Sequence, residues 1–341
     1  MQHARLADDP LRALTAALGG ETAGIAVATS GSTGSPREVL IGSDAIRASA
    51  QASTSRMGGP GAWLLAIPTQ RIGGALVMAR AMLYGTELVW LPSGPFTAEA
   101  FAHAAAAMPS GRRYVSLVPT QVVRLARSDA GRAALGTFDA VLVGGAPLPE
   151  LGLDAPLIST YGATETCGGC VYNGEPLEGV AVSTSHDGRI LLGGSTLADG
   201  YADGDNADFW VDGPLRWFRT PDSGEWDGAR LTVAGRADDV IITGGLKAHP
   251  ARVERALATL PYVAEAAVAG VPDPEWGARV TAWVVEASGM PGLDQVRADL
   301  SALLAAHELP RELRIVGALP HTEGGKIDRR AMRALARGEE Q

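Results

Sequence analysis

The sequence predicts an α/β protein with a large N-terminal domain and a small α+β C-terminal domain. Apolar segments alternate with alanine-rich helical segments between residues 22 and 160, which is typical of a mostly parallel sheet with helices on its faces. Residues 178–236 contain short apolar segments among Gly, Asp and Pro without a helical pattern, which indicates a β-rich subdomain. A strand–helix pattern then resumes, so we place the domains at residues 1–237 and 238–341.

The strands of the large domain are predicted from short apolar segments that alternate with helical ones. Four segments indicate buried strands: AWLLAI (62–67), ELVWL (87–91), RYVSLV (113–118) and FDAVLV (138–143). The helical segments between them are 72–84, 97–108 and a shorter one after Pro119.

In the small domain, strands and helices are likewise predicted from the sequence pattern, over roughly a hundred residues. VIITGG (240–245) is a strand that runs into a glycine turn, and Pro250 opens a helix at the favoured first position. The remaining predicted elements are strands AEAAVAGV (264–271) and ARVTAWVVEA (278–287), a helix over 293–306 and a last strand ELRIVG (312–317).

The composition argues against several classes of function. The chain has 341 residues, 46% of them hydrophobic, a formal net charge of −9 and a pI near 5.2, which does not suit a general nucleic-acid binder. Residues 1–10 lack the apolar segment of a signal peptide, and no apolar run reaches the length of about 18 residues that a membrane span needs. We therefore expect a soluble, cytoplasmic protein.

The two cysteines, Cys167 and Cys170, form a C-x-x-C pattern that permits a redox pair or half of a zinc site. A structural zinc site needs two further ligands at matching spacing, whereas the six histidines are scattered singly. We therefore favour two small residues in a glycine-rich turn.

The segment ATSGSTGSPREVL (28–40) follows a short apolar strand and is rich in glycine and hydroxyl side chains. Its glycines let successive N–H groups point into one concavity, and the hydroxyls and a permanent cation add donors, so phosphate is the natural ligand. The pattern G-x-x-x-x-G-K-[ST] is absent, and a flexible linker is the alternative. The predicted phosphate-binding residues are Thr29, Ser30, Gly31, Ser32, Thr33, Gly34 and Arg37.

Glycine turns also end the predicted strands in VLVGGAPL (141–148) and LISTYGATET (157–166). Loops after the carboxyl ends of parallel strands form the ligand crevice of such a sheet. Tyr161 offers a flat face for a purine, and Glu165 offers a carboxylate for Mg²⁺. Asp222 is a candidate acceptor for a ribose hydroxyl pair.

Five motifs occur in order: TSGSTGSPR (29–37), YGATET (161–166), WFRTPDSG (217–224), GRADDVIITGGLKAHPARVE (235–254) and PHTEGGKIDRRA (320–331). Together they resemble the adenylate-forming superfamily of acyl-CoA synthetases, luciferases and peptide-synthetase adenylation domains, over residues 22–336. The resemblance implies a ligase that uses ATP and Mg²⁺ to convert a carboxylic acid into an acyl-AMP with release of pyrophosphate. The acyl group then passes to a thiol, commonly that of coenzyme A.

The resemblance also implies roles for the matching residues at the nucleotide. The 29–37 loop covers the β- and γ-phosphates, Thr164 contacts the α-phosphate, and Glu165 binds Mg²⁺. The implied adenine and ribose contacts are Gly144, Gly145, Ala146 and Tyr161 for adenine, and Asp222 and Arg236 for ribose.

In the small domain, Asp238 matches the hinge of the family, and Gly244 and Gly245 match the turn that lines the pantetheine tunnel. Lys326 matches the lysine that bridges the acid and the α-phosphate. Taken alone, a lone lysine after a Gly-Gly turn is ordinarily a solvated charge, so this role depends on the resemblance.

Two residues depart from the family pattern. Arg37 stands where relatives usually have lysine, which keeps the charge but changes its geometry. Arg71 stands beside the expected acyl pocket, where relatives usually have histidine or an aromatic residue. A substrate with a second carboxylate needs a buried partner for it, and we favour Arg71 for this role. Arg80, nine residues further along the predicted helix, is assigned to a structural ion pair.

Within the family, the chain looks like the short-form o-succinylbenzoate–CoA ligases of menaquinone biosynthesis. Only 28 residues precede the phosphate loop, far fewer than in typical members, and SLVPTQ, VLVGGAPLP and ETCGGCVYNGEPLEGV support the comparison. The alternatives are an acyl- or aryl-CoA ligase for another acid and a non-catalytic nucleotide-binding relative. The expected partners are the acid, ATP and CoA, without nucleic acid or a membrane span; a homo-oligomer is left open.

Overall fold

The computed structural model describes residues 1–29, 37–146, 151–321 and 327–337. The chain divides into two units, each formed by more than one segment. The first unit comprises Met1–Ser185, Ile190–Thr220 and Trp226–Leu231, and the second comprises His186–Arg189, Pro221–Glu225 and Thr232–Gln341. The predicted domain boundary between residues 237 and 238 stays a prediction.

The secondary structure of the described residues is numbered along the chain. The strands are β1 (His3–Arg5), β2 (Gly24–Ala28), β3 (Glu38–Gly42), β4 (Ala62–Leu65), β5 (Leu88–Trp90), β6 (Arg113–Leu117), β7 (Ala140–Gly144), β8 (Leu157–Ala163), β9 (Gly168–Tyr172), β10 (Glu175–Pro176), β11 (Val180–Thr184), β12 (Arg189–Gly194), β13 (Gly200–Tyr201), β14 (Phe209–Asp212), β15 (Leu215–Trp226), β16 (Leu231–Arg236), β17 (Ile241–Thr243), β18 (Leu246–Ala248), β19 (Val263–Asp273), β20 (Gly277–Glu286) and β21 (Glu312–Ile315). The helices are α1 (Pro10–Leu18), α2 (Ser43–Arg56), α3 (Ile72–Tyr84), α4 (Ala98–Ala106), α5 (Pro119–Ala126), α6 (Asp129–Leu135), α7 (Pro250–Ala258), α8 (Leu293–Leu300) and α9 (Arg329–Arg337), and Thr164–Thr166 and Ala237–Asp239 are single 3-10 turns.

The central sheet of the first unit has seven strands in the order β10-β9-β8-β7-β6-β4-β5. Strands β5, β4, β6, β7 and β8 run parallel, and β9 and β10 extend the sheet in antiparallel fashion. The predicted α/β fold with a mostly parallel sheet is therefore confirmed, and each of the four predicted strands is present with shifted ends.

Strands β4 and β7 of this sheet are buried on both faces, because their neighbouring residues point to opposite faces and are apolar. Trp63 and Tyr114 contribute to one hydrophobic core with their rings 5.3 Å apart, while Leu64 and Val115 contribute to the other. Helix α3 packs in the first of these cores, and Phe101 of α4 packs in the second.

Helix α3 covers residues 72–84, as predicted. It begins after Arg71, whose extended backbone makes it the N-cap residue. It ends at Gly85, which has φ of 62° and donates its amide to carbonyls of the last turn, so glycine provides the left-handed conformation that closes the helix.

The predicted β-rich region, residues 178–236, is fully described and contains β11 to β16 without an α-helix. One sheet has the order β11-β12-β15-β14, and β16 pairs with β15. A separate four-stranded sheet has the order β1-β2-β3-β13. Within it, the short strand β13 lies against β3, with Tyr201 opposite Val39.

The second unit is built on the sheet β18-β17-β20-β19, with β21 parallel to β20. Helices α7 and α8 contribute Val253, Leu257, Val296 and Leu300 to its main core, which confirms the predicted α+β architecture. Helix α8 ends at Leu300 rather than at residue 306 as predicted. The Ser301 hydroxyl donates back to the Ala298 carbonyl at 2.7 Å, a local bond that competes with continuation of the helix.

Cys167 and Cys170 are free thiols inside the first unit. Burial raises the pKa of each thiol to about 12, so both are neutral and weakly reactive at neutral pH. The described residues contain no group of three or more His, Cys, Asp or Glu side chains that could hold a metal. The interpretation of the C-x-x-C pattern as small packed residues agrees with this burial. Among the described residues, no helix combines the length and apolarity needed to cross a membrane.

Candidate active site

The two described residues that flank the predicted phosphate loop pair with each other. The Thr29 amide donates to the Arg37 carbonyl at 2.8 Å, and the Thr29 hydroxyl donates to the same oxygen at 3.1 Å. These bonds extend the β2–β3 hairpin by one residue pair, so the loop starts and ends at a fixed point. The remaining predicted phosphate contacts lie outside the described residues and stay predictions; they are Ser30, Gly31, Ser32, Thr33 and Gly34.

The carboxyl ends of β7 and β8 lie side by side, with Gly144 opposite Thr160. A Cβ atom on Gly144 would lie 2.6 Å from the Thr160 hydroxyl oxygen, so no side chain fits here without a shift. Gly145 has φ of 90°, a backbone conformation that favours glycine. Gly144, Gly145 and Ala146 thus lie at the same edge of the sheet as Tyr161, where the ligand crevice is predicted.

Tyr161 and Gly162 mark an irregularity in the β8–β9 pairing. The Tyr161 hydroxyl donates to the Thr220 hydroxyl oxygen at 3.4 Å. A Cβ atom on Gly162 would lie 2.1 Å from the carbonyl oxygen of Gly168, a backbone atom that cannot turn away. The close approach of β8 and β9 therefore requires glycine immediately before the segment that carries Glu165.

We expect Gly162→Ala to lower the free energy of unfolding by about 1–3 kcal/mol, the usual cost of forcing extra volume into a packed site. Chemical denaturation measures this loss. Gly317→Ala is the matched control, because a Cβ atom there meets nothing within 4 Å, and it should change stability by less than about 0.5 kcal/mol. Equal midpoints for the two variants would show that β8 and β9 can separate without cost.

Glu165 lies in the 3-10 turn Thr164–Thr166, whose backbone is fixed on both sides. The Thr166 hydroxyl oxygen accepts from the Ala163 amide at 2.8 Å. The Ala198 amide donates to the Glu165 carbonyl at 2.8 Å. Thr164 and Glu165 are both half-buried, so the turn holds them next to the strand ends described above.

The side chain of Glu165 is contacted by Tyr201, a residue that we did not predict. The Tyr201 hydroxyl donates to Glu165 Oε1 at 2.9 Å. Burial raises the pKa of Tyr201, and the neighbouring Glu165 charge raises it further, so the phenol stays protonated and donates. Since the two residues are 36 positions apart in sequence and meet through the pairing of β13 with β3, no local sequence signal marks this contact.

Arg37 packs on the ring of Tyr201, with its guanidinium carbon 3.5 Å from the ring centroid. Its Nε and Nη2 atoms donate to the two carboxylate oxygens of Asp203 at 3.0 and 2.9 Å, and Nη2 also donates to the Asp205 carbonyl at 2.7 Å. The arginine lowers the pKa of Asp203 through the hydrogen bond. The predicted phosphate contact of Arg37 stays a prediction; in this structure the guanidinium is held by acidic residues.

The chemistry of Glu165 fits Mg²⁺. Mg²⁺ is usually held by one or two carboxylates together with substrate phosphates and waters. Within the described ranges, Glu165 forms no ion pair, and its Oε2 atom has no protein partner. A half-buried carboxylate that forms no ion pair among the described residues therefore suits a metal that arrives with the nucleotide.

The predicted ribose and hinge residues lie in the second unit. Asp222 is half-buried in β15, and Arg236 ends β16. Asp238 accepts from the guanidinium groups of Arg189 and Arg236, each at 3.4 Å. The predicted hinge carboxylate is thus held by two arginines, of which Arg189 was not predicted.

Gly244 and Gly245 form the two-residue turn between β17 and β18, with φ of 57° and 78°. The Gly244 amide donates to the Trp276 carbonyl at 2.9 Å, and a Cβ atom at Gly244 would lie 2.9 Å from the Trp276 ring. A Cβ atom at Gly245 would meet nothing within 4 Å. Asp238, Gly245 and Trp276 line one open cavity of 580 Å³ within this unit, which places the predicted hinge and turn on a common surface.

Arg71, predicted beside the acyl pocket, and Arg80, predicted to form a structural ion pair, differ in environment. Arg71 is exposed at the start of α3, and its Nη1 atom donates weakly to the Ala28 carbonyl at 3.4 Å. It therefore lies next to the start of the predicted phosphate loop. Arg80 is 3% exposed and donates to the Ser53 hydroxyl oxygen at 2.7 Å, with its guanidinium 5.1 Å from the Trp63 ring. In the described part of the chain it forms no ion pair, so the predicted partner of Arg80 is replaced by a hydroxyl and an aromatic ring. Lys326 lies outside the described residues.

Two family comparisons cover most of the chain. Residues 22–201, more than half of the 341 residues, match the family of AMP-binding enzymes. The chain belongs to the AMP-binding enzyme family. Residues 252–326 match the C-terminal domain of AMP-binding enzymes, so the second match ends at the predicted catalytic lysine. The predicted resemblance to the adenylate-forming superfamily is confirmed.

Individual members of the AMP-binding enzyme family are similar to this chain over most of its length. The probable 2-succinylbenzoate–CoA ligase of Mycobacterium tuberculosis (strain ATCC 25618 / H37Rv) is 42% identical over 320 residues, which cover 90% of this chain and 83% of that protein. The solved structure of o-succinylbenzoate coenzyme A synthetase from Bacillus subtilis, in complex with ATP and magnesium ion, has a TM-score of 0.78 and 25% identity, covering 91% of this chain and 69% of that chain. The structure of the amide bond synthetase McbA from Marinactinospora thermotolerans has a TM-score of 0.80 and 28% identity, with the same coverages of 91% and 69%.

Proposed function

We propose that this AMP-binding enzyme is an ATP-dependent 2-succinylbenzoate–CoA ligase of menaquinone biosynthesis. The observation that carries the proposal is the 42% identity to the M. tuberculosis ligase across 90% of this chain. In the first half-reaction the succinyl carboxylate attacks the α-phosphate of ATP, which gives the acyl-AMP and releases pyrophosphate. In the second, the thiol of CoA attacks the acyl carbon, which gives the thioester and releases AMP.

The residues of the first unit serve the nucleotide in this proposal. The backbone at Gly144, Gly145 and Ala146 and the ring of Tyr161 receive adenine at the edge of the central sheet. Thr164 contacts the α-phosphate, and the loop that starts at Thr29 and ends at Arg37 covers the distal phosphates. Glu165 would hold Mg²⁺, which when bound neutralises phosphate charge and so lowers the repulsion between two anionic reactants.

The residues of the second unit complete both half-reactions. Asp222 and Arg236 hold the ribose, and Lys326 supplies an ammonium to the acid and the α-phosphate during adenylation. Gly244 and Gly245 line the path of the thiol, and Asp238 is the hinge between the proposed domains, residues 1–237 and 238–341. Catalysis in this proposal depends on positioning and charge stabilisation, as phosphoryl chemistry generally requires.

The decisive test is ATP–pyrophosphate exchange measured with 2-succinylbenzoate, benzoate and a fatty acid, followed by detection of the thioester after CoA is added. We expect exchange and thioester formation with 2-succinylbenzoate. Exchange only with another acid would assign the chain to a different acyl- or aryl-CoA ligase. Exchange with no acid would favour a non-catalytic nucleotide-binding relative. Amide formation with an amine, without thioester, would assign the chemistry of an amide synthetase.

The proposed enzyme acts on small molecules. Its partners are the acid, ATP and CoA, and we propose that it acts in the cytoplasm without binding nucleic acid. The open question of a homo-oligomer is answered by light scattering of the purified chain.

We expect Arg71→Ala to raise the KM for 2-succinylbenzoate about tenfold, between the small effect of an exposed ion pair and the large effect of a buried one. The reason is that the substrate keeps an unreacted carboxylate on its ring, and Arg71 is the exposed cation beside the start of the phosphate loop. The measurement compares this acid with 4-oxo-4-phenylbutanoate, which lacks the ring carboxylate and should lose little.

Arg12→Ala, at an exposed position of α1, is the matched control for loss of a surface charge and should leave both KM values unchanged. Equal losses for the two acids in Arg71→Ala would contradict a contact between Arg71 and the ring carboxylate.

A further inference from the structure

Tyr201 lies at the carboxylate that the proposed function assigns to Mg²⁺, although neither the motifs nor the predicted site include it. The residue is buried, with only 7% of its surface exposed, and its hydroxyl donates to Glu165 Oε1 at 2.9 Å. The contact occupies one carboxylate oxygen. In the part of the chain that the structure describes, the other oxygen has no protein partner.

The ring of Tyr201 is fixed by its neighbours. The Arg37 guanidinium lies 3.5 Å from the ring centroid, and Phe209 meets the ring edge-on with centroids 5.6 Å apart. Asp203 holds the guanidinium with both carboxylate oxygens. The Tyr201 amide donates to Asn206 Oδ1 at 2.8 Å, which anchors the backbone as well.

Glu165 depends on the same segment for its backbone position. Its carbonyl accepts from the Ala198 amide at 2.8 Å, three residues before Tyr201. A glutamate side chain has free rotation about its terminal bond unless a hydrogen bond fixes it. The segment that contains Ala198 and Tyr201 therefore sets both where the carboxylate lies and how it is turned.

We propose that Tyr201 is a positioning residue, which turns the Glu165 carboxylate so that Oε2 faces the metal of the bound nucleotide. This inference rests on the proposed function, because it takes Glu165 as the Mg²⁺ ligand. Residues that orient metal ligands by hydrogen bonds typically change metal affinity or activity 10–100-fold when they are removed. The planar fork of Arg37 suits the clamp on the tyrosine ring better than a lysine ammonium would, since it stacks on the ring while two of its nitrogens bond Asp203.

The test measures the dissociation constants of MgATP and of metal-free ATP by isothermal titration calorimetry, without acid or turnover. Their ratio reports what the metal adds to nucleotide binding. Tyr201→Phe keeps the ring beneath Arg37 and removes the hydroxyl. We expect it to reduce this ratio about tenfold and to leave the dissociation constant of metal-free ATP unchanged.

Tyr262→Phe is the matched control, because it removes a tyrosine–carboxylate hydrogen bond of 2.6 Å to Asp299 in the second unit. The ratio of the two dissociation constants in Tyr262→Phe should equal that of the unmodified chain. The variant Glu165→Gln and the double variant with Tyr201→Phe and Glu165→Gln complete a double-mutant cycle. If Tyr201 acts through Glu165, its substitution should cause no further loss once Glu165 is glutamine.

Four outcomes overturn the inference. If Glu165→Gln reduces the ratio and Tyr201→Phe does not, Glu165 is still the Mg²⁺ ligand and only the proposed role of Tyr201 is wrong. If neither variant changes the ratio, the proposed metal role of Glu165 falls together with the inference. If Tyr201→Phe weakens MgATP and metal-free ATP equally, or if its loss adds fully to that of Glu165→Gln, the tyrosine acts independently of the Glu165 carboxylate.

Discussion

Replacing Glu165 by glutamine is expected to raise the Mg²⁺ concentration for half-maximal adenylation by about 100-fold or more, the scale of losing one electrostatic group at a reacting phosphate. Glutamine keeps the size of the side chain and can still accept the hydrogen bond of Tyr201. It loses the negative charge that a hard cation prefers. The measurement is ATP–pyrophosphate exchange at fixed ATP over a range of free Mg²⁺.

Glu87→Gln provides the control, since Glu87 is an exposed carboxylate of the first unit, away from the strand ends that carry the site. It should leave the Mg²⁺ dependence unchanged. An unchanged dependence in Glu165→Gln would remove this carboxylate from the metal site, and the fit between its surroundings and Mg²⁺ would then need another explanation.

The central strands of the first unit's sheet were predictable because β4 and β7 are apolar throughout. Trp63 and Leu64 are neighbours that pack into opposite cores, and a strand with both faces buried has this unbroken apolar pattern. The ends of elements were less predictable. Helix α8 ends at Leu300, next to Ser301, whose hydroxyl donates to the Ala298 carbonyl, a local bond that periodicity does not register.

The strand ends of the candidate site were predictable for a related reason. A glycine turn after an apolar strand marks the carboxyl edge of a parallel sheet, and Gly144 and Tyr161 do lie on neighbouring strands there. Tyr201 was not predictable, because its position depends on pairing between β13 and β3, far apart in sequence. The same pairing brings Arg37 onto its ring. Contacts made by tertiary pairing leave no periodic trace in a single sequence.

The environments of the charged residues were the hardest part to predict. Arg71 directly precedes helix α3 and is exposed, whereas Arg80 lies within the helix and is buried against Ser53 and Trp63. Sequence spacing places Arg71 at the start of the predicted helix and Arg80 inside it. It does not tell which neighbour a buried guanidinium will meet, because that neighbour comes from another element.

The two half-reactions are expected to have separable defects. Lys326→Ala should reduce adenylation by about 10²–10³-fold, since one charge-stabilising donor is lost, and should still convert a supplied acyl-AMP to the thioester. Gly245→Leu should do the reverse, because a side chain would enter the path of the thiol while pyrophosphate exchange continues. The measurement is both half-reactions for each variant.

Gly245→Leu also carries a backbone cost, because a non-glycine residue at φ of 78° is strained by about 1–2 kcal/mol. Gly289→Leu is the matched control: Gly289 has φ of 56°, and a Cβ atom there, as at Gly245, meets nothing within 4 Å. This control should keep both half-reactions. A thioester defect in Gly289→Leu equal to that of Gly245→Leu would assign the effect to strain rather than to a blocked path. If Lys326→Ala and Gly245→Leu each slowed both half-reactions equally, this would contradict the proposal that the two residues serve different half-reactions.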